Sequence, residues 1–221
     1  MGNQSKHPRC IEGYAIVSED GMIAAATGIM PDSLKLDADQ AFFEHGLDQV
    51  DVVVHGRHSH ERHLGTHLRR RLIVTRQVFA IATDPSLENA LLWNPAGASF
   101  EEAMDFFGTA TGNVGIIGGT VVFELFLSRY DVFHLSRAPG VQLPGGRPVF
   151  AGVPARTPEE VLAAHGLEPR QEQILDAASG LAVVNWQRSA TERRNPRSHS
   201  PALLDAYRSK PVIEHNKVSS C

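Results

Sequence analysis

Cysteine is almost absent: there are two in 221 residues, Cys10 near the start and Cys221 at the last position. Two thiols so placed support neither a disulfide framework nor a cysteine-based zinc site, and they suit a reducing, cytoplasmic setting. Long apolar runs are missing too. Nothing approaches the roughly 20 residues of a membrane span, and the stretch MGNQSKHPRC has no signal-peptide apolar segment. Ser5 falls one place short of the myristoylation pattern, and a terminal cysteine is not a prenylation box. Charge of one sign is likewise lacking, since 21 Lys and Arg against 25 Asp and Glu leave a formal net charge of −4. No broad field draws nucleic acid or an anionic membrane, so neither is expected as a partner. Any anion site must be local.

What remains is 42% hydrophobic and 21% charged, enough for one sizeable core or two small ones. One domain plus a tail is expected. Residues 14–17 read as a short apolar strand, and Glu19, Asp20 and Gly21 supply a turn. Asp37 as an N-cap predicts a helix over residues 38–46, with Phe42, Phe43 and Leu47 as its apolar stripe. Residues 50–56 (VDVVVHG), 71–75 (RLIVT) and 78–83 (VFAIAT) are β-branched runs too short for typical helices, and they read as buried parallel strands. SFEEAMDFF opens with Ser99 and Glu102 at capping-box spacing, which predicts a helix ahead of a strand over residues 114–117. YDVFHLSRA is a further strand, LPGGRPVF a loop, and EQILDAASGLAVVNWQ an edge hairpin turning near Ser179 and Gly180. The alternation argues for an α/β sheet with helices on its faces. From Ser189 the chain turns polar and Pro-containing and reads as a disordered tail, with PALLDAY as a short docked turn.

Gly118 and Gly119 stand between a strand and a helix. Without a Cβ they let a ligand approach the backbone, and the amides of a helix start attract an anion such as a pyrophosphate. A tight strand-to-helix crossing would want the same two residues. Gly56, Arg57, His58 and Ser59 form a donor-rich turn after another strand, and Thr75 with Arg76 ends a third. Ligands of open α/β sheets bind outside the carboxyl ends of strands, so these three ends suit a dinucleotide. Two arginines favour a 2′-phosphate, hence NADP over NAD. The plainer alternative is that Arg57 and Arg76 are solvated residues closing their strands. His55, His58, His60, His63 and His67 crowd one stretch, but no motif fixes a third ligand for the His63 and His67 pair. No metal is expected there. Solvated loop histidines, able to engage phosphate when protonated, are the expectation.

AIVSEDGMIA, DVVVHGRHSHE, RLIVTR, IIGGTVVFELFL and VFHLSRAPGVQLPGGRPVF, in this order and spacing, resemble the dihydrofolate reductase superfamily. Within it the chain is similar to the riboflavin-pathway reductase domain, the C-terminal domain of RibD, and its stand-alone relatives. The resemblance covers residues 11–188. It implies a mostly parallel, twisted eight-stranded sheet flanked by helices and ending in an antiparallel hairpin. It also implies a homodimer that uses NADPH to reduce a small nitrogen heterocycle or an aminopyrimidine riboside-type substrate. A dihydrofolate or pterin reductase is the alternative enzyme. A nucleotide-binding module without turnover is the alternative of another class.

Residue by residue, the resemblance places Gly118 and Gly119 at the cofactor pyrophosphate, with Ile117 and Thr120 beside them as cofactor-binding residues. Gly56, Arg57, His58 and Ser59 match the cofactor-binding turn around the family's Gly-Arg, Thr75 with Arg76 match the ribose-phosphate strand end, and Ile16 and Ile23 resemble apolar residues that shelter the nicotinamide. On the substrate side it implies Asp39 as the carboxylate serving the ring, Ser136 as the hydroxyl supporting it, Phe43 against the ring, and Arg69 as a clamp for an anionic tail. An apolar slot would raise the pKa of Asp39 and let it relay a proton. The plainer alternative is that Asp37 and Asp39 are helix-start acids. Phe123 stands where folate reductases carry tyrosine, Ala24 replaces a glycine, and no tryptophan follows Met30 and Pro31. SEDG and GGRP are typical of the riboflavin-type relatives instead. The deaminase signature that accompanies that reductase in the fused pathway enzyme is absent.

Overall fold

A computed structural model describes residues 10–57, 69–108 and 112–189. Among the described residues nine strands form one sheet in the order β10-β11-β8-β1-β7-β3-β4-β6-β5. Its middle is parallel: β1 (Ile11–Val17) lies between β8 (Val132–Arg137) and β7 (Val114–Ile116), and β7 is followed by β3 (Val52–Gly56), β4 (Arg70–Val74) and β6 (Ala90–Trp93). Antiparallel strands close both sides, with β11 (Leu181–Arg188) and β10 (Leu167–Asp176) on one and β5 (Ile81–Thr83) on the other. A separate pair joins β2 (Met22–Ala24) to β9 (Arg147–Pro148). The helices are α1 (Asp37–Leu47), α2 (Phe100–Phe106), α3 (Thr120–Leu125) and α4 (Pro158–Ala164).

Successive residues of a strand face opposite sides, so the apolar runs of the parallel strands feed two cores. On one side Val52, Val54, Leu72, Val74, Val114, Ile116, Phe133 and Leu135 pack with Phe100 and Met104 of α2 and with Val122 and Phe123 of α3. On the other, Tyr14 and Val53 meet Leu47, with Phe42, Phe43, Val50 and Ile117 against them. The large core is edge-to-face aromatic: Phe123 and Phe133 lie 5.5 Å apart, Tyr130 and Phe133 5.0 Å, Phe100 and Phe126 5.0 Å.

The sheet has one strand more than the resemblance implies. Residues 78–83 do not form a buried parallel strand. Only Ile81–Thr83 is a strand, it pairs antiparallel with β6 at the sheet edge, and Phe79 is 92% exposed. β6 follows β5 closely in the chain, and so short a connection permits an antiparallel pair where a parallel one needs a crossover. Asp37 is not the N-cap of α1. Leu36 holds that place without a side-chain cap, and Asp37 and Asp39 both sit in the first turn. At Ser99 the capping box forms as expected, with Ser99 N–H donating to Glu102 Oε2 at 2.7 Å and Glu102 N–H to Ser99 Oγ at 3.2 Å. A second box, Thr157 with Glu160 and with Pro158 at the first helical position, opens α4, a helix passed over in the sequence reading. Part of the expected loop LPGGRPVF becomes β9. The hairpin turn falls where expected, with Gly180 at φ +75°.

Candidate active site

Strands β3, β4 and β7 end side by side. Ile117 N–H donates to the Val54 carbonyl at 3.0 Å and Gly56 N–H to the Gly118 carbonyl at 2.8 Å, which fixes the entry to α3 against the end of β3. Gly118 has φ +108°, and a Cβ there would stand 2.8 Å from the Phe123 ring. Local geometry alone therefore demands glycine at 118, and this meets the packing alternative directly. Gly119 is the N-cap of α3, and its carbonyl accepts from Val122 and Phe123 at 2.9 and 3.0 Å. The Thr120 hydroxyl donates to the Pro148 carbonyl, tying this corner to β9. Phe123 is buried among Phe133, Phe150 and Gly118, so the hydroxyl it lacks would lie in the core.

At the neighbouring strand end Thr75 is buried, and its Oγ1 accepts from Gln77 N–H at 3.2 Å. Arg57 and Arg76 are exposed just beyond β3 and β4, adjacent strands in register at Gly56 and Val74. His58, Ser59, His60, His63 and His67 lie outside the described residues. His55 is described and departs from expectation, being 5% exposed rather than solvated. Its Nε2 lies 3.3 Å from Arg71 Nη1 and its Nδ1 2.9 Å from the Gly56 carbonyl. A guanidinium only donates, so Nε2 is the acceptor in the contact with Arg71.

On the α1 side the structure brings Asp39 and Ser136 together. Ser136 is 2% exposed, paired across β8 with Ile16 of β1 and Val183 of β11. Its hydroxyl faces the half-buried Asp39 carboxyl. Burial pushes that carboxyl above its ordinary value, and the Ser136 hydroxyl works in the opposite direction. Phe43, a turn further along α1, meets Tyr14 edge-on at 6.1 Å and shares an apolar cluster with Ile117, the residue leading into the paired glycines. Ile16 packs with Leu34, Ala138 and Leu181, while Ile23 lies against the large core. Arg69 precedes β4 and is ion-paired to Asp48 just past α1. Two surface hollows open elsewhere, near Trp93 and Ser99 and near Ile81 and Phe106, and none of these site residues lines them.

The sequence reading missed a polar group on the same sheet face. Tyr14 OH donates to Glu12 Oε2 at 2.6 Å, His134 Nε2 lies 3.1 Å from that oxygen, and His134 Nδ1 lies 2.7 Å from Asn185 Oδ1. No short motif marks it. Only the β1, β8 and β11 neighbourhood assembles it.

No protein-family model matches the chain, and no curated protein matches it in sequence. Solved structures do. Dihydrofolate reductase from Enterococcus faecalis, complexed with NADP(H) and RAB-propyl, superposes with a TM-score of 0.55 over 83% of this chain and 98% of that one, at 19% identity. The chain has the dihydrofolate reductase-like fold. A protein named for riboflavin biosynthesis from Shewanella sp. PV-4 has a TM-score of 0.54 and 17% identity, covering 81% of this chain and 99% of its own. Acinetobacter baumannii RibD has a TM-score of 0.57 and 12% identity over 84% of this chain, which spans 59% of that protein's length. At such identities the likeness carries the fold and leaves the chemistry to the site. The dihydrofolate reductase-like sheet explains why β3, β4 and β7 present their carboxyl ends together beside α1. Among the described residues no helix is long and apolar enough to cross a membrane.

Proposed function

We propose that the chain is an NADPH-dependent reductase acting on a small nitrogen heterocycle or an aminopyrimidine riboside-type compound, as in the riboflavin pathway. The observation that carries the reading is the half-buried Asp39 carboxyl facing the buried Ser136 hydroxyl, one helical turn from Phe43, which shares an apolar cluster with Ile117. A helix-start acid with no further role would face water. This one is half-buried beside a strand hydroxyl and pushed toward its protonated form, the state in which it can give a proton to a ring nitrogen.

The donor set suits an anionic nucleotide. Arg57 and Arg76 at adjacent strand ends are placed to take phosphate charge, with the paired glycines opening the neighbouring corner. Bound there, NADPH supplies hydride. Phe43 offers a flat apolar wall to the substrate ring, Asp39 holds the proton to be delivered, and Ser136 keeps the carboxyl oriented. Arg69 is engaged by Asp48, which weakens the case for a clamp on a folate tail and favours the riboflavin-type substrate class over folate.

The test is NADPH oxidation against dihydropterins, aminopyrimidine riboside phosphates and quinonoid compounds. The reading expects turnover within the aminopyrimidine group, whereas preference for dihydropterins would move the chain to the folate alternative. Tight NADPH binding with no turnover on any compound would favour the binding module.

A further inference from the structure

Glu12, Tyr14, His134 and Asn185 lie one beside another on the sheet face that α1 covers. Tyr14 of β1 is the register partner of His134 of β8, and His134 is the partner of Asn185 of β11. One oxygen, Glu12 Oε2, takes the Tyr14 phenol at 2.6 Å and faces His134 Nε2 at 3.1 Å. The Tyr14 and His134 rings stack with centroids 4.5 Å apart and planes 21° from parallel. In the Tyr14–Glu12 contact the phenol donates and the carboxylate accepts. The His134 hydrogen bond holds the Glu12 carboxyl below its ordinary range despite burial, and burial, then Glu12, push the Tyr14 phenol well above its own. Tyr14 therefore keeps its proton and donates it.

The helix rests on this knot. Gly46 of α1 lies so close to Tyr14 that a Cβ would come within 2.5 Å of Cε1 and 2.7 Å of the phenol oxygen. Phe43 meets the Tyr14 ring at 6.1 Å, and Phe42 meets the His134 ring edge-on at 5.5 Å. Asp39 stands three and four residues before Phe42 and Phe43, one turn up the helix. Ser136 stands two residues beyond His134, on the same face of β8.

We propose that Glu12, Tyr14 and His134 are positioning residues. Their shared hydrogen-bond knot fixes the plane of the Tyr14 ring, the ring sets how closely α1 lies on the sheet, and α1 in turn holds the Asp39 carboxyl against Ser136. The proposal rests on the reading of Asp39 as the proton-delivering carboxyl. Nothing in it requires the knot to touch substrate. Charge is confined to a spot beneath the helix where apolar residues would fill the space, and its hydrogen bonds specify one ring orientation where dispersion contacts tolerate several.

Two variants and two readouts test this. Glu12→Gln keeps the size and removes the charge, and Tyr14→Phe keeps the ring and removes its proton. The Asp39 carboxyl is followed by carbon NMR through a pH titration, which needs neither cofactor nor substrate, and turnover is followed with NADPH. In folded Glu12→Gln, Asp39 should titrate at lower pH than in the parent, because a looser α1 admits water to a carboxyl whose upward shift comes chiefly from burial. Turnover should fall about tenfold to a hundredfold with the KM for NADPH unchanged, the scale of a small misplacement of a reacting group. Tyr14→Phe should move both in the same direction by less. A folded Glu12→Gln protein that melts earlier but leaves the Asp39 titration where it was overturns the proposal. If Glu12→Gln does not fold, the same titration in Tyr14→Phe decides. A moved titration in a protein that oxidises no NADPH with any substrate upholds the positioning role and rejects the reductase reading.

Discussion

The Ser136 hydroxyl near the end of β8 faces the carboxyl of Asp39 in the first turn of α1, and burial pushes that carboxyl above its ordinary value. The raised value has a consequence for stability. The native state holds the Asp39 proton more tightly than the unfolded chain, so its contribution is fully present below the ordinary aspartate value and is lost as pH rises through the raised native value. Asp39→Asn removes that loss. Its Tm should exceed the parent's at neutral pH, with the gap closing in acid below the ordinary aspartate range. Thermal melts across pH check this, and a lower Tm for the variant at neutral pH would contradict it.

Ser136→Ala probes the same pair from the other side. The Ser136 hydroxyl is the influence that lowers the Asp39 value, so its removal should send the carboxyl's titration higher still. A carboxyl titration that moves down, or not at all, would mean the hydroxyl does not stabilise the charged form.

Gly118→Ala separates packing from ligand binding. With φ at +108° and the Phe123 ring 2.8 Å from the new Cβ, the variant should lose roughly 1–3 kcal/mol of stability, the scale of a strained residue. Gly119→Ala is its companion, expected to weaken NADPH binding more than it weakens the fold. Denaturant midpoints and nucleotide titrations on both variants distinguish the two roles, and equal loss of binding in both would leave Gly119 with no special part.

Arg76→Ala should narrow the preference for NADPH over NADH by on the order of 2 kcal/mol, about thirtyfold, the scale of one charge-assisted contact. Nucleotide binding isotherms measure it. Equal affinities for the two nucleotides in the unaltered protein would remove the basis for placing a 2′-phosphate at these strand ends.

What was legible in the sequence was what local chemistry encodes. Ser99 and Glu102 declare a helix start by their spacing, and Val52 to Val54 declare a buried strand by composition alone. Gly118 and Gly119 mark a junction, though not whether packing or a ligand requires it. Asp39 and Ser136 became a pair only through resemblance, because nothing in LDADQAFF says that its carboxyl meets a strand hydroxyl. The rest depends on strand order. The four apolar residues of β6 are too few to announce a strand, and residues 78–83 look buried until β6 pairs with them antiparallel. His55 reads as one of a histidine-rich turn, yet the β3 and β4 pairing buries it against Arg71. Glu12 and His134, 122 residues apart, acquire their meaning only when β1 and β8 lie side by side.

The central claim is that Asp39 delivers a proton in a reduction driven by NADPH. It is tested most directly by the pH dependence of NADPH oxidation in the parent and in Asp39→Asn, on the most active aminopyrimidine riboside phosphate. The parent's rate should fall as pH rises through the raised Asp39 value, and the variant should be slower by roughly 100- to 10,000-fold and lack that limb, with NADPH affinity retained. A variant that turns over at the parent's rate with the same pH profile would contradict the account.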